Sequence, residues 1–355
     1  MNNKKRGQNS GNGLLPAGEI ITPELVKDIK GPTPVQQRLM ETAALNPVGP
    51  DLRSIIYQHS TFCQVFMPYR DPGVEVLSWN RSNGIVDLRL RAGEAKHPSG
   101  QWVQVPLPFG PKCRLVLMHI NQLALLNQSP RIEMEDTLTT FVRRVLKLDP
   151  MGRNIAMVKQ QLRRLATSSI RLGIASTEHV TAVTRKLEIV TEFDVWFCKD
   201  DRQRVLWPSY VELSLDYFTS LQEHAVPLDE YHIAALSHTA MGLDIYAWLA
   251  QRLHRVPVNK PAFVSWAALH NQFGQGYDPE RINKFRQVFR VALKQVLELY
   301  QSAHITEEER RPPTRLIQAG KMVWREPPAK GLTLHHSPPP VPRAQITSPI
   351  PCGKP

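Results

Sequence analysis

Cysteine is scarce in this chain, and what there is stands apart. Cys63, Cys113, Cys198 and Cys352 form no Cys-x-x-Cys pair and join no Cys/His cluster, so neither a structural zinc nor a disulfide framework is indicated, and a reducing cytoplasm fits. No run of about 18 uncharged apolar residues occurs, and Met1 to Ala17 is polar and Gly-rich without an apolar signal core. The expectation is a soluble, unexported chain with no membrane association. The Gly-x-x-x-x-Gly-Lys-Ser/Thr pattern is also missing, which leaves no phosphate cradle for ATP hydrolysis or a self-contained helicase. Nicking enzymes of origin DNA need two histidines separated by one apolar residue, with a tyrosine nucleophile nearby. Here His335 and His336 are adjacent, and alternating strand geometry sends adjacent rings to opposite faces. His119, His232, His238, His254 and His270 are scattered without ligand spacing on one helix face, and most of them read as surface or helix-end residues. No metal, no cofactor and no catalytic residue is therefore expected.

What is present is length, apolar content and positive charge. A chain of 355 residues with 42% hydrophobic content can fill two cores. Lys and Arg number 44 against 32 Asp and Glu, a net charge of +12, which favours a polyanionic partner without separating nucleic acid from an anionic membrane surface.

The fold class expected is α+β, with two winged-helix domains and a β-rich N-terminal extension. Residues 1–30 read as a disordered basic tail and 342–355 as a Pro-rich one, with the Pro-rich composition already beginning at Ser337. Residues 31–225 hold the β-rich piece and the first winged-helix domain, and residues 226–341 the second. Phe62 to Met67 reads as a strand. Asn83-Gly84 reads as a turn, and Leu88 and Leu90 alternate with Asp87, Arg89 and Arg91. Apolar residues then recur at helical spacing over Arg114 to Asn127, Met134 to Leu146 and Asn154 to Ala166. Extended segments follow, from Ser169 to Ile174 and through Ile189, Phe193, Val195 and Phe197, to the polar loop Lys199 to Arg202 before Val205-Leu206-Trp207. Three helices followed by a hairpin is the winged-helix order. It recurs, without a matching residue pattern, in Leu243 to Arg255, a short strand at Val264, Trp266 to Phe273, a break at Gly274-Gln275-Gly276, and a long helix from Asp278-Pro279 to about Tyr300. Ile305 and the segment Leu316 to Trp324 read as the second wing. Trp248 and Trp266 fit core positions, and no aromatic cluster for stacking single-stranded DNA is evident.

The third helix of each half carries the candidate DNA contacts. Ile282, Phe285, Phe289, Leu293 and Val296 form an apolar stripe, beside which Arg286, Arg290 and Lys294 line up, with Arg281 and Lys284 at the N-terminal end. In helix-turn-helix proteins that end of the helix enters the major groove, where basic side chains read guanine edges or bind phosphate. A solvated basic face is the plain alternative. Lys159, Gln160, Arg163 and Arg164 face away from the stripe Ile155, Val158, Leu162 and Leu165 and suit DNA contacts, a dimer interface or an exposed face.

Several segments resemble the plasmid-encoded RepA replication-protein family. Pro106 to Gly110, Arg114 to Leu117 and Gln161 to Leu165 are similar to its first half. Ala225 to Asp229, Gly242 to Leu253, Val264 to Gly274, Phe285-Arg286 and Ser337 to Val341 are similar to its second. The likeness spans roughly residues 31 to 341 and rests on motifs in order. It departs at Met118-His119-Ile120-Asn121, where family members tend to carry a Trp and a Thr. The resemblance implies a cytoplasmic, plasmid-borne initiator that binds repeated or palindromic double-stranded origin DNA and acts with host initiation and helicase-loading proteins. Repression of its own promoter belongs to the same functional reading, and between a homodimer that represses and a monomer that initiates no heptad or large apolar seam fixes the choice. A transcriptional regulator would use the same groove-reading helices. A nicking or priming enzyme is the rival from another class.

Overall fold

The computed structural model describes residues 32–45, 55–84, 86–96, 99–133, 139, 142–143, 149–175, 182–185, 189–193, 210–308, 314–318, 321–325 and 330–342. Residues 1–31 and 343–355, nearly all of the expected helix Met134 to Leu146, the loop Lys199 to Arg202 and Val205-Leu206-Trp207 lie outside the described residues.

Helix α1 (Pro34–Leu45) opens with proline in its first turn, and the Thr33 hydroxyl accepts from the Gln36 backbone N–H at 3.3 Å. Strand β1 (Ile55–His59) runs straight into a short 3₁₀ turn, Ser60–Cys63. Here the sequence expectation fails. Phe62 to Met67 is no strand, although Phe62, Val65, Phe66 and Met67 are all buried. A short continuous apolar run marks burial, and its periodicity does not distinguish a strand from a turn pressed into the core. Strands β2 (Ser78–Asn83) and β3 (Val86–Arg91) form the hairpin expected at Asn83-Gly84, where Gly84 takes a φ of 62°. A second hairpin joins β4 (Gly93–Lys96) to β5 (Trp102–Val105). Helix α2 (Gly110–Asn127), β6 (Arg131–Glu133), α3 (Gly152–Thr167), β7 (Ser169–Ala175), β8 (Ala182–Arg185), β9 (Val190–Phe193) and β10 (Tyr210–Leu213) complete the first half. Strands β2, β3, β7 and β8 make one antiparallel sheet, and β6, β10 and β9 pair in that order in another.

Helix α4 (Leu215–His224) leads into β11 (Ala225–Asp229), which pairs antiparallel with β1. The expected domain boundary at 225/226 thus falls inside a strand that belongs to both halves. Asp229 then caps α5 (Glu230–Ala235), accepting from the N–H groups of Tyr231 and His232. Next come α6 (Ala240–Arg252), β12 (Ala262–Ser265), α7 (Trp266–Phe273), α8 (Ile282–Leu299), β13 (Ile305–Glu308), the hairpin β14 (Thr314–Gln318) to β15 (Lys321–Arg325), and β16 (Gly331–Leu334). The sheet order β12-β16-β13 repeats that of β6-β10-β9. In each, the strand after the first long helix pairs with the last strand, which pairs with one between. Past β16 the Pro-rich segment is packed, against expectation. Ser337 Oγ accepts from His304 N at 2.9 Å, Tyr300 donates to Pro338 O at 2.7 Å, and Val341 is fully buried.

One apolar core runs through both halves, and polar ties cross between them. Arg114 on α2 meets Asp244 on α6 in a bidentate pair, 2.7 Å from Nε and 2.7 Å from Nη2, with neither side chain more than 4% exposed. Its remaining donors reach Met67 O, Pro68 O and Gly110 O. Burial works against the guanidinium charge, but the Asp244 carboxylate outweighs it and holds Arg114 charged above its ordinary range. Arg81 donates to the backbone carbonyls of Asn271 and Gln272, and Gln272 donates to Gln64 O. Among the described residues no helix is long and apolar enough to cross a membrane.

Candidate nucleic-acid interface

Helix α8 owes its position to an aromatic stack. Phe285 and Phe289 are buried on one face; Phe289 meets the edges of Trp266 and Phe273 at 5.6 and 5.3 Å, geometry that adds attraction beyond area burial. Asp278, Pro279 and a 3₁₀ turn at Pro279–Arg281 start it, with the Asp278 carboxylate accepting from Glu280 N at 3.0 Å. The opposite face carries Asn283, Lys284, Gln287, Lys294 and Glu298, with Val291 exposed among them.

The five basic residues expected on α8 divide into two groups. Arg286 and Arg290 lean back over the Trp266 ring, with their guanidinium carbons 5.6 and 5.1 Å from its centroid. Arg290 is also paired with Glu307 on β13, at 2.5 Å from Nη2 and 3.1 Å from Nε, so its charge is largely compensated by the following strand. Lys284, Lys294 and Arg281 point outward, Arg281 with 83% of its side chain exposed and only a 3.9 Å approach to Asp278. Asn283 and Gln287 are exposed beside Lys284. Sequence reasoning missed these two amides because it weighed charge alone; their i−1 and i+3 spacing from Lys284 was the available signal.

On α3 the structure separates residues that the sequence had grouped. Arg164 does not face away. It is buried, donating to Leu107 O at 2.9 Å and to both oxygens of Asp71 at 3.1 and 3.2 Å, with its guanidinium 4.9 Å from the Phe109 centroid. One turn back, buried Gln161 accepts from Phe109 N at 2.8 Å. These two residues clamp the Pro106 to Gly110 loop to the helix and serve the fold. Arg163 is half-buried, and burial lowers its pKa. Gln160 is exposed and Lys159 partly so, which leaves these three as the outward group of α3.

The histidines read as surface residues include two that are buried. His119 is buried within α2, its Nδ1 3.2 Å from Gln122 Oε1, and His232 lies edge-on to Tyr246, with Nδ1 at 3.0 Å from its hydroxyl. The adjacent pair lies just past the end of β16, and its two rings go to different partners. His335 stacks on His304 at 4.1 Å, while His336 Nδ1 is 2.9 Å from Val256 O.

Residues 107–267 match the model of the family described as Plasmid encoded RepA protein, a narrower span than the motifs suggest. No curated protein matches the chain. Among solved structures, the crystal structure of SeMet derivatives of domain2 and domain 3 of RctB is similar with a TM-score of 0.48 at 9% identity, covering 78% of this chain and 98% of that one. A second structure of the RctB domains 2-3 gives a TM-score of 0.42 at 8% identity, covering 76% and 95%. The matched stretch begins inside the Pro106 to Gly110 loop, contains both partners of the Arg114–Asp244 pair and ends just past Trp266; over it, the chain is similar to the family described as Plasmid encoded RepA protein.

Proposed function

We propose that the chain is a plasmid replication initiator that binds double-stranded origin DNA sequence-specifically and recruits host initiation and helicase-loading proteins, catalysing no reaction of its own. Each half is read as a winged-helix unit, α3 and α8 being the groove-facing helices and β14–β15 the second wing. The observation that carries the reading is α8: a helix anchored by Trp266, Phe285 and Phe289 that presents Arg281, Lys284 and the amides Asn283 and Gln287 at its N-terminal end. Charged and amide donors on the first turns of a third helix suit phosphates and base edges together. Binding at a promoter-proximal repeat by the same helices gives autorepression, and repeated or palindromic sites are served by a homodimer.

Selection of duplexes from a random pool by the purified chain, followed by footprinting on the selected sequence, tests the binding. Lys284→Ala is expected to weaken binding by about 1–3 kcal/mol and relax preference at one position if Lys284 reads a base. If it binds phosphate, specific and non-specific affinity fall alike, with the salt slope reduced by about one. Unchanged affinity and slope in both Arg281→Ala and Lys284→Ala would reduce α8 to a solvated face. Supply of the chain in trans to a plasmid carrying the selected sequence separates initiator from regulator, since a regulator binds tightly without supporting replication. Nicked or primed product on supercoiled DNA with Mg²⁺ would make the chain an enzyme instead.

A further inference from the structure

The outer face of the β2-β3-β7-β8 sheet carries charge that the fold does not use. Strand β3 alternates buried Val86, Leu88 and Leu90 with exposed Asp87, Arg89 and Arg91. Across the ladder, Arg89 stands directly between Asn80 on β2 and Arg171 on β7, and Arg91 between Ser78 and Ser169. Residues opposite one another in an antiparallel pair share a face and lie about 5 Å apart at their Cβ atoms, where like charges repel. Arg89 and Arg171 are such a pair. Among the described residues neither of them nor Arg91 has an ion-pair partner, and Arg171 Nε is buried without a hydrogen bond. Asp87, opposite Ser82 and Gly173, is the one carboxylate on these three rows. The arrangement costs stability unless an anion completes it.

The chemistry of the face selects the anion. Guanidinium groups flanked by hydroxyl and amide donors match phosphate oxygens. The rows hold no apolar side chain, whereas the core of a protein–protein interface is apolar and depleted in charge. The placement fits as well. Strand β7 continues directly from the C-terminal end of α3, and Arg81 on β2 holds the C-terminal end of α7, so the sheet adjoins the helix unit of each half.

We propose that Arg89, Arg91 and Arg171 form a sequence-independent docking face for the phosphate backbone of duplex DNA, separate from the groove-reading helices. This rests on the DNA-binding function proposed above and extends the footprint beyond it.

The test is a salt titration with a fluorescein-labelled 40-bp duplex of random sequence and the full chain. Arg89→Ala/Arg171→Ala is expected to weaken binding and to reduce the slope of log K against log salt by about two, one for each phosphate no longer neutralised. Arg89→Lys/Arg171→Lys retains the charge and should keep most of the slope. Melting temperature is followed in parallel, and relief of the like-charge pair predicts that the alanine variant melts no lower than the parent chain. If Lys284→Ala lowers the slope while Arg89→Ala/Arg171→Ala does not, the sheet face is no DNA surface and the function stands. A parent chain that binds no duplex at any salt overturns both. Loss of self-association in sedimentation with DNA binding unchanged would assign the face to a second copy of the chain and overturn the proposal.

Discussion

Two histidines buried in the first half are kept neutral by their surroundings. His59 Nδ1 accepts from Thr61 N at 3.2 Å, so Nε2 carries the proton and donates to Ser220 Oγ at 3.0 Å, while the ring stacks on Tyr217 at 5.6 Å. Burial, reinforced by His224, lowers its pKa to about 4. His119 sits against Gln122, whose amide is turned by its bond to Ile55 O, and burial lowers His119 to about 4 as well. An unfolded chain takes up a proton on each ring near pH 6.5, whereas the folded one resists down to pH about 4. Stability held above pH 6.5 therefore declines as the pH falls towards 4 and levels off below it, by at most about 3 kcal/mol for each residue. Urea unfolding from pH 7 to 4 measures this directly. His59→Gln should flatten about half of the loss; an unchanged pH profile in that variant would place the protonation elsewhere.

At the scale of elements, the sequence displayed periodicity well and interior turns poorly. The helices α3 and α8 were legible because each combines a one-sided apolar stripe with a start signal, such as Asp278-Pro279 before α8, whereas α2 and α6, buried on nearly every face, were legible from sustained apolar content. Phe62 to Met67 was not legible, since its burial is set by tertiary packing. The same limit applied at the candidate site. Arg164 and Arg163 look alike in sequence, yet one turns in to Asp71, a partner 93 residues away that no local pattern announces. The pairing of Arg290 with Glu307 was hidden in the same way. Gly331 offers a sharper test of an element. It begins the central strand β16, and a Cβ there would meet Val264 O at 2.2 Å and the Phe263 ring at 2.7 Å. A backbone carbonyl cannot give way as a flexible side chain can. Gly331→Ala is expected to cost about 1–3 kcal/mol by forcing β12 and β16 apart, read as a lower urea midpoint with amide exchange accelerated first in β12 and β16.

Across the whole molecule, the two halves repeat a strand order but do not form separate cores. Strand β1 of the first half pairs with β11 at the start of the second, and Arg114 and Asp244 close the seam from α2 and α6, within two of the motifs that resemble the family. A pair so fully buried gains little over apolar residues of similar size, because desolvation offsets most of the attraction, yet removing one partner strands the other charge. Asp244→Asn or Arg114→Met alone is therefore expected to destabilise by about 3–5 kcal/mol, while Arg114→Met/Asp244→Leu together should recover most of that loss. Since the seam is shared, the single variants should speed amide exchange in both halves by the same factor, seen in α2 and α6 alike. Exchange that accelerates on one side alone would mean that the halves unfold independently. The Arg81 and Gln272 ties between the first half and α7 would then be too weak to make the two halves unfold as one unit.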